Sequence, residues 1–92
     1  MLLAFCVVSP ILIADERSES ARIAPDFHAI TEATAWDGSR CDLLNDEYAI
    51  EVEWAEKWKE SIAQAVYYAI QHDRKPGIVL LRKKGVDVSR YI

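Results

Sequence analysis

Cysteine is scarce in this 92-residue chain. Cys6 and Cys41 are the only two, too few and too far apart for a disulfide framework, and they lack the short spacing that zinc sites use. Histidine is equally scarce, and His28 and His72 have no partner at ligand spacing, so both are read as surface residues. Basic charge is in deficit: 11 Lys and Arg stand against 15 Asp and Glu, for a net charge of -4. Counterion release on nucleic acid needs Lys and Arg facing the phosphates, so a whole-molecule attraction is excluded and any such binding must come from a local patch or from metal ions. Repeats and low-complexity segments are absent, and 92 residues leave room for one small domain near the lower limit for an independent core.

Long hydrophobic runs are missing too. The most apolar stretch, MLLAFCVVSPILIA, holds no charged side chain, and every Asp, Glu, Lys and Arg lies at Asp15 or beyond. As a helix it would reach roughly 21 Å, short of the ~30 Å hydrocarbon core, so no membrane span is expected. It reads as an export signal over residues 1–14, with Ala14 as the small residue before the cleavage point, although Leu12 stands where a second small residue is preferred and the n-region lacks Lys and Arg. A buried N-terminal strand or helix is the other reading. Export would place a single domain, residues 15–92, outside the cell or in the periplasm; retention would leave it in the cytoplasm.

Beyond residue 15, SESARIAPDFHAI is polar with a central Pro25 and reads as short helical turns. Thr31–Trp36 and Ser39–Leu44 flank Asp37-Gly38, a strong turn signal, and form a hairpin. Tyr48–Trp54 alternates with period two, placing Ile50, Val52 and Trp54 on one face and Glu51 and Glu53 on the other. From Ala55 to His72 the period becomes helical, with Trp58, Ile62, Ala65 and Ala69 as the apolar stripe. Pro76-Gly77 closes the connection, Ile78–Leu81 is a short apolar strand, and Arg82-Lys83-Lys84 is its basic exit. A helix between two strands is the crossover that makes them parallel, so the expected fold is α/β with a mixed four-stranded sheet and one long helix.

On an ideal helix Lys57, Ser61, Gln64 and Tyr68 fall within roughly 40° of one line, and Lys57 follows directly on the strand that carries Glu51 and Glu53. Asp42, on the preceding strand, can bring a third carboxylate to the same edge. Carboxylates on adjacent strands are hard oxygen ligands suited to Mg²⁺ or Mn²⁺, and a neighbouring lysine can stabilise charge in a transition state. Periodicity alone leaves a second reading of Glu51 and Glu53, the solvated face of an edge strand, and does not decide where Glu32 points. Trp54, Trp58 and Tyr67 are read as core or rim aromatics.

Asp42, Glu51 and the run Gln64-Ala65-Val66-Tyr67-Tyr68, set in the order helix, three strands, helix, strand, resemble the PD-(D/E)XK nuclease superfamily. The likeness is to its RecB-like branch, which carries a Q-x-x-x-Y motif, and it covers about residues 31–81. The resemblance implies a restriction-endonuclease-like αβββαβ core and Mg²⁺- or Mn²⁺-dependent hydrolysis of DNA phosphodiesters. Asp42 and Glu51 would be metal ligands, with Glu53 as a third, and Gln64 and Tyr68 would orient substrate or nucleophile. Glu53 occupies the position where the family has its lysine. Lys57 is then the candidate for a displaced catalytic lysine, and an inactive nuclease-fold domain acting as an exported binding or assembly module is the alternative. The oligomeric state is left open, a homodimer included.

Overall fold

The computed structural model describes residues 5–11 and 16–83, with side chains described for 17–82. In chain order the elements are β1 (Phe5–Ile11), α1 (Glu16–Ile23), a 3₁₀ turn (Ala24–Phe27), β2 (Ile30–Thr34), β3 (Arg40–Leu44), β4 (Tyr48–Trp54), a second 3₁₀ turn (Ala55–Lys57), α2 (Trp58–His72) and β5 (Lys75–Lys83). They build one mixed sheet in the order β1-β5-β4-β3-β2. β2, β3 and β4 form an antiparallel meander, whereas α2 crosses over so that β5 lies parallel to β4.

The α/β class and the mixed sheet agree with the sequence pattern, and β5-β4-β3-β2 are the four strands expected. Three details differ. Phe5–Ile11, inside the stretch read as an export signal, forms a fifth strand parallel to β5, in register from Phe5 with Gly77 to Ile11 with Lys83. The expected long helix is an ordinary one of 15 residues, because the chain first makes a 3₁₀ turn on leaving β4. Trp36 lies beyond the end of β2 and is 82% exposed. Lys84 and the tail 86–92 lie outside the described residues.

Alternation along β4 sorts the core. Ile50 and Val52 pack with Leu43, Val79, Leu81, Ile23 and Ala24 on the α1 side. Ala49 faces the other way, against Ala33, Ala35, Cys41, Tyr68 and Ala69. The helix α2 covers that second face through Ser61, Ala65, Tyr68 and Ala69, all buried, flanked by Trp58 and Ile62 against Ile78 and Leu80. Positions 58, 61, 62, 65, 68 and 69 follow the i, i+3, i+4, i+7 spacing of a sheet-facing helix, and the small residues among them let the backbone approach the strands.

Local chemistry ends each element. Asp73 adopts a left-handed conformation with φ 55°, and the N–H groups of Asp73 and Arg74 donate to Ile70 and Ala69 oxygens, which closes α2 in the manner of a Schellman cap. Pro76 sits inside β5 yet removes nothing from the β1 ladder, which starts at Gly77. At the β2–β3 turn Gly38 takes φ 86°, and the Asp37 carboxylate accepts from the Ser39 N–H and hydroxyl. Tyr67 of α2 donates its hydroxyl to the same carboxylate, tying the hairpin tip to the helix. These bonds hold the Asp37 carboxyl down to about 2. Among the described residues no helix is long and apolar enough to cross a membrane.

Candidate functional site

The site begins where β3 and β4 part. Their ladder pairs Leu44 with Ala49 and Leu43 with Ile50 and goes no further. Beyond it, two carboxylates do the bridging: the Asp42 N–H donates to Glu51 Oε2 at 3.0 Å, and the Val52 N–H donates to Asp42 Oδ2 at 2.8 Å. On the other side of Asp42 the β2–β3 ladder skips Glu32, which has φ 51° and so leaves the extended conformation of its neighbours. Asp42 therefore occupies a gap on both edges of β3. Backbone donors that would otherwise pair strand to strand are satisfied there by acid side chains.

Glu51 and Glu53 are 5% and 9% exposed, because β4 is an interior strand flanked by β3 and β5. The solvated-edge reading of this acidic face fails for that reason. Glu53 Oε1 accepts the Trp54 N–H at 2.9 Å. Burial pushes the Asp42 carboxyl above its ordinary value of 3.8; the Val52 N–H opposes that rise, and the charges of Glu53 and Glu32 add to it. Four acids, Glu32, Asp42, Glu51 and Glu53, are thus held within electrostatic reach of one short stretch of β3. Cys41, next in the chain, is fully buried, and its thiol is pushed up to about 12, mainly by burial and then by Glu51. It is an inert core thiol that donates to the Leu43 and Ile50 oxygens.

The stripe expected on α2 divides. Lys57 ends the second 3₁₀ turn and is exposed, as is Gln64. Ser61 and Tyr68 face the sheet instead, at 0% and 8% exposure. The physical reason is the packed arc of α2, which is wider than the apolar letters alone suggest and takes in a serine and a tyrosine ring. Tyr68 lies edge-on to Tyr67 with ring centroids 5.2 Å apart, and 6.5 Å from His72. The Ser61 hydroxyl and the His72 Nε2 are buried with no hydrogen-bond partner among the described residues. Asp42 and Glu51 are brought together by the fold and Glu53 lies near them, whereas Lys57, Gln64 and Tyr68 do not share one face.

Sequence reasoning missed the α1 side. A cavity of about 340 Å³ opens beside Asp42 and is lined by Arg17, Ser20 and Ala21 of α1 and by Thr31 and Glu32 of β2. Arg17 Nε and Arg40 Nη1 reach Glu32 at 3.0 and 3.5 Å. The polar run SESARI carries no periodic signal for such a wall, and Glu32 enters it only through its backbone twist.

An Mg²⁺-type site needs one or two protein carboxylates, with waters and phosphate completing the shell. Asp42 and Glu51 have that chemistry, and each commits one identified oxygen to a backbone N–H, which orients the side chain. Among the described residues no group of three or more His, Cys, Asp or Glu is gathered as a metal site. Comparison with family models, curated proteins and solved structures returns no match.

Proposed function

We propose that the gap between β3 and β4 is the centre of a small nuclease-like domain that hydrolyses phosphodiester bonds of DNA with Mg²⁺ or Mn²⁺. The observation that carries this reading is the mutual bridging of Asp42 and Glu51. Two buried or part-buried carboxylates on neighbouring strands are fixed by backbone donors, with Glu53 and Glu32 adding negative charge close by. A divalent ion bound there supplies a lowered water pKa and neutralises phosphate charge. Asp42 and Glu51 hold the ion, and Glu53 is the third acid on the same strand face as Glu51. Lys57, exposed at the end of the second 3₁₀ turn, is the relocated lysine, and Gln64, exposed on α2, is a further group that meets substrate. Tyr68, buried, positions α2 against the hairpin.

The second reading keeps this fold without catalysis, as a binding or assembly module. It is favoured by Glu53, a buried acid in the place of the family's lysine.

Calorimetric titration with Mg²⁺ and Mn²⁺, run beside a DNA cleavage assay, separates the two. Wild type should bind one ion and cut, Glu51→Gln should lose both, and Lys57→Ala should bind the ion but cut far more slowly. Glutamine keeps an acceptor for the Asp42 N–H, so a loss there reports chemistry rather than unfolding. Cutting that survives Glu51→Gln, or that needs no metal, would sink the catalytic reading. Export is tested by the N-terminus of the protein purified from its host: a start near Asp15 supports a cleaved signal and removes β1, whereas retention of residues 5–11 refutes cleavage.

A further inference from the structure

We propose that the cavity between α1 and the β2–β3 hairpin seats a phosphate group of the substrate, with Arg17 as its ligand; this rests on the nuclease reading of Asp42. The cavity, about 340 Å³, is at the lower end of small-molecule pockets, roughly 300 Å³ and upward, so it accommodates one phosphate-bearing unit rather than a duplex groove. Arg17 is its only basic lining residue among those described, and its side chain is 74% exposed. It is held through Nε by Glu32. The two terminal nitrogens of a guanidinium thus fixed are the pair that meets a phosphate in the bidentate geometry arginine favours.

Glu32 acts as a positioning residue. It leaves the strand conformation at φ 51° and turns its carboxylate to Arg17, with Arg40 as a second cation on its other oxygen. The cavity's remaining acid, Asp42, has no such arginine among the described residues and repels an anion when charged. A divalent ion, if held by Asp42 as proposed above, would remove that repulsion, so phosphate and metal should bind with mutual assistance. Ser20 and Thr31 add hydroxyls to the wall, and Ala21 an apolar surface.

The test uses the ¹⁵N-labelled full chain titrated with inorganic phosphate, thymidine 5′-monophosphate and thymidine, each with Mg²⁺ and with chelator. Saturable shifts of the Arg17 Nε–H and the Ser20 and Thr31 amides are expected for both phosphates and not for thymidine, with tighter binding when Mg²⁺ is present. Arg17→Gln should weaken phosphate binding about tenfold or more, and Arg17→Lys should retain part of it. Spectra of the variants that match wild type outside α1 exclude unfolding. Wild-type affinity in Arg17→Gln, shifts centred elsewhere, or no binding of either phosphate overturns the proposal. Cleavage assays on the same samples separate it from the nuclease reading. Phosphate bound through Arg17 in a protein that never cuts keeps the site and removes the nuclease. Cutting with an unchanged KM in Arg17→Gln removes the site and keeps the nuclease.

Discussion

Replacing Asp42 by asparagine should slow the proposed metal-dependent cleavage severely and at the same time raise the melting temperature at neutral pH. Asparagine keeps the shape of the side chain and an oxygen for the Val52 N–H, now 2.8 Å from Asp42 Oδ2, so the bridge between β3 and β4 survives. What it removes is a charge. The Asp42 carboxyl is raised above 3.8 in the folded chain, by burial first and then by Glu53 and Glu32. The folded state therefore holds that proton more tightly than the unfolded state. Stability from this group is fully present at low pH and is lost as pH rises from about 3.8 through the raised value. At neutral pH the charged form costs stability, and Asp42→Asn relieves the cost and flattens that part of the pH dependence. In the proposed role of metal ligand Asp42 would contribute several kcal/mol of transition-state stabilisation, so cleavage should fall by roughly 10²- to 10⁴-fold. Thermal unfolding of both proteins from acidic to neutral pH, with cleavage rates in Mg²⁺, checks the pair of outcomes. A variant that is less stable at neutral pH and unchanged in activity would show Asp42 to be a structural bridge and nothing more.

Leu43→Ala should be the most damaging single core truncation on β3. Leu43 is fully buried, directly opposite Ile50 and Thr31, and packs with Ile23, Ala24, Val52, Val79 and Leu81. Truncation of such a leucine costs about 2 to 5 kcal/mol through lost transfer energy and the cavity left behind. Domains are stable by only ~5 to 15 kcal/mol in all. At ~4 to 8 °C per kcal/mol for a chain of this size, the melting temperature should drop by at least about 8 °C. Ile70→Ala serves as the control: Ile70 is 63% exposed on α2, so the change should stay within about 0.5 kcal/mol. Urea unfolding of the two variants beside wild type decides it, and a loss below about 1 kcal/mol for Leu43→Ala would contradict the core described here.

The resemblance to a nuclease core and the architecture of the sheet stand on different ground. Alternation along Tyr48–Trp54 was enough to define β4 to the residue, because a strand with two unlike faces writes its period directly into the sequence. The Asp37-Gly38 turn was equally legible, since few dipeptides supply its conformation so readily. The N-terminal stretch carried two readings, since an uncharged run satisfies an export signal and a buried strand alike, and its pairing with β5 as β1 comes from the tertiary structure. Burial of Glu51 and Glu53 was hidden for a related reason. A row of alternate acids looks like a solvated edge until the order β5-β4-β3 places the strand in the interior.

By itself the sequence determined the α/β class, the meander, the crossover helix and the placing of acids on β3 and β4, all of which follow from periods of two and 3.6 residues acting over short range. Tertiary structure decided how those acids are placed. It parted β3 from β4 so that Asp42 and Glu51 replace the missing ladder, turned Ser61 and Tyr68 inward and Lys57 and Gln64 outward, and set Arg17 and Glu32 around a cavity beside Asp42. Those outcomes depend on strand splay, a left-handed backbone at Glu32 and the docking of α1, which join residues far apart in the chain and leave no periodic mark on it.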